Sequence, residues 1–283
     1  MILRPQMAIL WFRTGKATRR NKSKSSDITS PMKRFSIVPL WVALFTLHVS
    51  CSVAEPDPNL PRAESAAPEA YASLLEKYVR DEGVRYAAWH ENSNDRKALQ
   101  QVVDFYATTR PPEDRDASLA WHLNAYNAWI LQKILEKYPT EGPLHNEPTF
   151  FHLPGITLSG RKLSFDHLEQ KLIRPVFEEP RIHFALNCAS ESCPPLHDRP
   201  FTAATLDADL EQLTRRFINQ NPQGVAVKGR TVRLSKLLKW YAEDFGGENN
   251  LLAYLNPYRE SPLPTNATVE FMEYSWKLNE ATK

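Results

Sequence analysis

From Glu69 to Val79 the apolar positions Tyr71, Leu74, Leu75, Tyr78 and Val79 recur at three and four residues, the spacing of one helix face, and Gly83 closes the element. The same period predicts a second helix from Ser93 to Tyr106, carried by Leu99, Val102, Val103 and Tyr106, which Pro111-Pro112 cannot continue. Between Leu119 and Tyr138 the chain is apolar around most of its circumference until the charged last turn, the pattern of a buried, central helix. Downstream the period shortens. Residues 156–158 and 162–164 flank Ser159-Gly160 as a hairpin, followed by a short helix from Phe165 to Ile173 that should stop before Pro175. Arg181–Asn187 is a short apolar run and is expected as a buried strand. A helix over Leu206–Ile218, a second hairpin at 225–227 and 231–234, helices over 235–245 and 249–258, and a closing strand within 268–278 complete the pattern. The result is an α+β fold: one helix-rich domain from about 69 to 283 with a small, mostly antiparallel sheet.

Aromatic residues are plentiful and glycines few, 30 against nine in 283 residues, which excludes a disordered or collagen-like chain. The net charge of +2 conceals an asymmetry: residues 1–50 hold nine Lys and Arg against one acid, while from Cys51 onward 26 basic residues face 32 acidic ones. An acidic body lacks the basic footprint that phosphate-backbone binding needs, so nucleic acid is not an expected partner. The basic excess leads into residues 32–54, where Lys33 and Arg34 precede an apolar stretch from Phe35 to Val49 and then small residues, the layout of an export signal. Residues 1–31 read either as a long leader or as sequence upstream of a start at Met32. Cleavage after Ala54 would discard Cys51; the alternative makes Cys51 a lipidated terminus and the membrane's point of attachment. Either route exports the body, to the periplasm or an outer-membrane tether if the source is bacterial. Glu55–Pro68, with four prolines, is expected as a flexible tether.

Three stretches carry a resemblance: WHLNAYNA at Trp121–Ala128, RIHFALNCASESCPPL at Arg181–Leu196, and Trp240-Tyr241 with Asp244-Phe245. Together, in this order, they resemble the domain of unknown function 547 family over roughly 115–256. The resemblance implies a domain boundary and a set of characteristic positions, and no reaction.

The chemistry within those stretches has to be read from the residues. Asn124 and Asn127 lie three apart on one face of a buried helix, where an unmatched amide costs about 1–3 kcal/mol. They therefore either brace a neighbouring loop or orient a substrate. As a strand residue, His183 would share a face with Arg181. Cys188 and Cys193, with Ala-Ser-Glu-Ser between them, most simply form a disulfide in an oxidising compartment. Alternatively one of them is a thiolate nucleophile with His183 as base and Asn124, Asn127 or Asp244 orienting the imidazole. A third reading groups His183, Cys188, Cys193 and His197 as zinc ligands, with His197 otherwise a surface residue; no cofactor is expected. Trp121, Tyr126, Arg181, Asn187, Ser190 and Ser192 are the expected ligand contacts. A buried helix followed by a histidine-bearing strand is also the order of parts in transglutaminase-like cysteine hydrolases, in which Asn124 would stand at the nucleophile's place. Two functions are consistent with this set: a thiol-dependent hydrolase or acyl transferase acting on a peptide-like or wall-derived amide, and a disulfide-braced module holding a small peptide or glycan in the same cleft without turnover.

Overall fold

The computed structural model describes residues 56–281 apart from Thr265. The expected leader, export signal and Cys51 lie outside the described residues. Four helices open the fold: α1 (Glu69–Tyr78), α2 (Tyr86–Glu91), α3 (Ser93–Thr108) and α4 (Arg115–Lys137). Side-chain caps set two of the starts. Asn92 accepts from the amides of Asn94 and Asp95 at the head of α3, and Asp114 accepts from Ala117 N–H at 2.8 Å at the head of α4. Such caps satisfy amides that the helix itself leaves open. In α4 every residue from Leu119 to Leu131 is buried, as its all-round apolar pattern requires. A two-residue hairpin, β1 (Val79–Arg80) with β2 (Gly83–Val84), and α2 were not expected from the pattern.

The expected hairpin forms around Ser159-Gly160 from β3 (Ile156–Leu158) and β4 (Arg161–Leu163), the second strand starting one residue earlier than expected and Ile156 standing opposite Leu163. The following helix does not stop before Pro175. A short α5 (Phe165–His167) passes through a π-helical turn (Leu168–Ile173) into α6 (Arg174–Phe177), where Pro175 occupies the first turn and costs no hydrogen bond.

Arg181–Asn187 is not a strand. Pro180 starts a 3₁₀ helix, Pro180–Phe184, and Glu179 caps it by accepting from Arg181 N–H at 3.0 Å. A short apolar run fits a buried helical turn as well as a strand, and here the proline and its cap decide. Arg181 and His183 consequently do not share a strand face.

The last third contains α7 (Leu206–Asn219), β5 (Val225–Lys228), β6 (Thr231–Leu234), α8 (Lys236–Trp240), a 3₁₀ turn (Ala242–Phe245), α9 (Leu251–Leu255) and β7 (Thr268–Phe271). β5 and β6 are antiparallel, and β7 joins β6 in parallel after the helical crossover. The described strands thus make three separate small sheets in a helix-rich α+β fold, mostly antiparallel, rather than one sheet.

One apolar core runs from Ala63 to Leu278. Two flanking segments are tied onto it. The proline-rich stretch is docked from Asp57 on rather than free: Ala63 N–H donates to Arg110 O, Arg110 N–H to Pro61 O, and Ala63 and Ala66 are buried. At the other end, residues 275–281 form an extended strap. Val84 N–H donates to Asn279 O, Ala281 N–H to Val84 O, Asn279 N–H to Ala189 O and Glu191 N–H to Lys277 O. Gly83 permits this approach, since a Cβ there would stand 2.2 Å from Asn279 O.

Candidate functional site

The two carboxamides of α4 are braces. Asn124 donates through Nδ2 to Phe201 O at 2.9 Å and Ala66 O at 3.2 Å, and its Oδ1 accepts from Phe201 N–H at 2.9 Å. Asn127 donates to Ala185 O at 3.0 Å and accepts from Asn187 N–H at 2.9 Å. Each amide satisfies the backbone of a loop that has no regular partner, so an asparagine in a helix interior is worth its weak propensity there. Neither faces a ligand cleft.

His183 is buried and donates from Nε2 to Asp244 Oδ2 at 2.6 Å, which fixes its tautomer. Its ring lies 3.8 Å from that of Tyr241 and edge-on to Phe245. Arg174 forks onto the same carboxylate, Nε to Oδ2 at 2.7 Å and a terminal nitrogen to Oδ1 at 2.6 Å, and its guanidinium rests over the Tyr241 ring. Tyr241 in turn bonds buried Glu169 through its hydroxyl. Burial disfavours the charged Asp244 carboxylate, but the bonds from His183 and Arg174 outweigh it and hold the carboxyl well below the usual range. Burial lowers the His183 pKa more than Asp244 raises it, so the ring is neutral at pH 7. With its carboxylate already shared with an arginine, the imidazole is held in place rather than made a strong base.

This network reaches solvent at a cleft of about 460 Å³ lined by Gln170, Arg174, Glu178, Glu179, Ile182, Asp244 and two prolines. No serine, threonine or cysteine is among those residues; the side-chain nucleophiles at this cleft are the carboxylates Glu178, Glu179 and Asp244.

The cysteines stand elsewhere. Cys188 and Cys193 are joined as a disulfide, with 6.0 Å between their Cα atoms. Cys188 Sγ lies 3.0 Å from Ser190 Oγ and 3.1 Å from Tyr274 Oη, and Cys188 N–H points at Cys193 Sγ at 2.8 Å. Asn187 folds the loop by donating to Pro194 O and accepting from Ala189 N–H. Cys193, Ser190 and Glu191 line a second cleft, of about 440 Å³, whose other walls come from Asp81–Gly83, Asn221–Gln223 and Leu278–Glu280. The two clefts share no lining residue.

The single pocket expected from the sequence is therefore two places joined by structural amides. His183 is bonded to neither carboxamide and neither sulfur. Of the orienting groups considered for it, Asp244 is the one in contact. In the disulfide form neither Cys188 nor Cys193 is a thiolate, and neither bonds an imidazole. Nor do the four zinc candidates gather: the sulfurs bond each other, and His197 is buried rather than at the surface, against Phe201 and 3.5 Å from Asp209. Among the described residues no group of three or more metal-binding side chains comes together.

The expected ligand contacts divide likewise. Trp121 is fully buried, edge-on to Tyr106 and His122, and Tyr126 is buried against Phe165. Arg181 is engaged by Glu179 and Asp207. Asn187 is internal, and Ser192 Oγ accepts from Ser275 N–H, leaving Ser190 at a cleft wall. Arg174, Glu169 and Tyr274 were not anticipated. Only Tyr274 had a sequence signal, as part of an aromatic cluster with Trp240 and Trp276.

No curated protein and no solved structure matches the chain significantly. Residues 112–218, which span both braces, His183 and the disulfide loop, match the family described as Protein of unknown function, DUF547.

Proposed function

We propose that the protein is an exported, non-catalytic binding module whose disulfide-braced loop forms one wall of a cleft for a cationic, peptide-like ligand. One observation carries this reading. The cleft beside Cys193 is lined by four carboxylate residues, Asp81, Glu82, Glu191 and Glu280, and by no lysine or arginine; Asp81 is paired with Arg216 at 2.8 Å, which leaves Glu82, Glu191 and Glu280 to set its charge. Its volume of about 440 Å³ suits a short peptide. Asn221 and Gln223 add neutral amides to its wall. A braced loop gives the wall a fixed shape at little entropic cost on binding. The disulfide supports placement outside the cytosol, where such bonds persist, through an export signal at 32–54. The likeness to transglutaminase-like hydrolases adds nothing to this reading, because His183 lies in a 3₁₀ helix rather than a strand and Asn124 is engaged by Ala66 and Phe201.

Titration calorimetry with trilysine and triglutamate at low ionic strength tests the reading. Trilysine should bind and triglutamate should not, and a Glu82→Gln, Glu191→Gln double variant should bind trilysine about tenfold more weakly, two partly screened charge contacts being lost. Binding of a neutral glycan oligomer in place of trilysine would change the occupant. Binding of none of the three, or hydrolysis of a chromogenic amide by the purified protein, would overturn the module.

A further inference from the structure

The two sulfurs of the disulfide have different surroundings. Both cysteines are buried, 6% exposed each, but Cys193 lines the acidic cleft and Cys188 does not. Around Cys188 Sγ stand two hydroxyls, Ser190 Oγ at 3.0 Å and Tyr274 Oη at 3.1 Å, themselves 3.2 Å apart. A disulfide sulfur carries no proton, so a hydroxyl bonded to it donates; Ser190 Oγ donates to Tyr274 Oη, which directs the Tyr274 proton to Cys188 Sγ. Cys193 Sγ has one amide donor, Cys188 N–H, and also faces a carbonyl, Leu186 O at 3.9 Å, which opposes negative charge there. Thiol–disulfide exchange is governed by which sulfur can be reached and which leaves as the more stable thiolate. Here both criteria select the same direction.

We propose that the Cys188–Cys193 bond is a site of thiol exchange with a small cationic or neutral thiol: the thiol enters the cleft, attacks Cys193, and Cys188 leaves. The entering thiolate forms a new bond to Cys193 Sγ as the Cys188–Cys193 bond breaks. The electron pair of that bond goes to Cys188, where the Tyr274 hydroxyl, itself bonded by Ser190, receives the charge. No external oxidant is consumed. A second thiolate attacking the mixed disulfide releases Cys193 and carries away the small-molecule disulfide, so the protein is reduced as two thiols are oxidised. Three of the carboxylates that line the cleft, Glu82, Glu191 and Glu280, repel an anionic thiol and attract a cationic one, an effect that salt screens, while Asp81 is paired with Arg216. The released loop is the one whose Ala189, Glu191 and Ser192 hold the strap of residues 275–281, so exchange also loosens that strap. This activity does not depend on peptide binding, and the mapping below can succeed or fail independently of the trilysine titration.

The experiment uses the full chain with Cys51 alkylated beforehand. The protein is exposed briefly to cysteamine or to 3-mercaptopropionate at matched thiolate concentration, quenched with N-ethylmaleimide, and mapped by peptide mass spectrometry. Cysteamine should be found on Cys193 with maleimide on Cys188. Cysteamine should react about tenfold faster than mercaptopropionate at low ionic strength, and the two rates should converge in 0.5 M salt. Tyr274→Phe and Ser190→Ala should each slow exchange about fivefold, the worth of one hydrogen bond. Cysteamine on Cys188, equal rates for the two thiols at low salt, or unchanged rates in both variants would overturn the proposal.

Discussion

Replacing Asn127 by alanine separates the structural role of the α4 amides from a role in recognition. The truncation removes two hydrogen bonds and leaves Ala185 O and Asn187 N–H without their partner inside the protein. Two neutral bonds are worth about 1 kcal/mol each, and stranding two buried backbone groups raises the cost to about 3–5 kcal/mol. Alanine recovers roughly 0.5 kcal/mol through its better helix propensity, too little to change the sign. The net loss of about 3–4 kcal/mol is a large part of the 5–15 kcal/mol typical of a folded domain. In urea, with a slope on the order of 2 kcal/mol/M, the midpoint should fall by roughly 1.5–2 M at unchanged slope. The fraction that remains folded should bind trilysine within about twofold of the parent, because Asn127 lines neither cleft. Asn127→Asp should also destabilise, since a carboxylate can accept from Asn187 N–H but presents negative charge to Ala185 O. The bracing argument fails if the alanine variant loses less than about 1 kcal/mol, or keeps its stability and loses the ligand.

Gly83→Ala should detach the strap, because a Cβ 2.2 Å from Asn279 O forces the backbones apart; the signs are a lowered melting temperature and faster proteolysis after residue 275. His122 is buried with its ring bonded to Ser118 O, and burial lowers its pKa from 6.5 to about 4. The unfolded chain thus takes up a proton that the folded one refuses, and stability falls as pH drops from 6.5 to 4, by roughly 3 kcal/mol, then levels off. Denaturation across that window should show the slope in the parent and a reduced slope in His122→Phe. Asp244→Asn breaks the fork with Arg174 and should cost about 1–3 kcal/mol, less than for a fully buried pair because both side chains keep some exposure. An Arg174→Met, Asp244→Leu double variant should recover part of it, and a double-mutant cycle measures the coupling.

How far the fold was legible in the chain depended on whether one local signal dominated. α4 was, because apolar residues on nearly every face leave only a buried helix. The hairpins were, because Ser159-Gly160 and Lys228-Gly229-Arg230 separate short runs at turn spacing. Arg181–Asn187 was misread because five apolar or neutral positions in a row satisfy strand and helical turn equally, and the deciding residues, Glu179 and Pro180, lie before it. The strap at 275–281 could not be read as an element: it pairs through isolated bridges, Val84 with Glu280 and Ser190 with Leu278, and has no continuous ladder to impose alternation. Within the site, the cysteine pairing and the Asp244 contact to His183 were accessible from residue type, whereas Arg174, beside a proline in a π-interrupted helix, carried no motif to announce it.

The division between braces and clefts follows where the family match falls along the chain. Inside 112–218 the notable residues bind one another: Asn127 holds Ala185 and Asn187, Asn124 holds Phe201, and Cys188 holds Cys193. The surfaces a ligand can reach are completed from outside it. Asp244 reaches His183 and Arg174 from beyond residue 218, and three of the four carboxylates at the Cys193 cleft, Asp81, Glu82 and Glu280, belong to flanking segments held in place by the strap and the β1–β2 hairpin. On the proposed reading the acidic character of the Cys193 cleft rests mainly with segments packed against the matched region, whereas the first cleft is lined from inside it except for Asp244. Substitution at Glu82 should accordingly change what the cleft accepts while leaving the fold intact, substitution at Glu280 should also loosen its bonds to Tyr138 and Ala87, and substitutions at Asn124 or Asn127 should act on stability first.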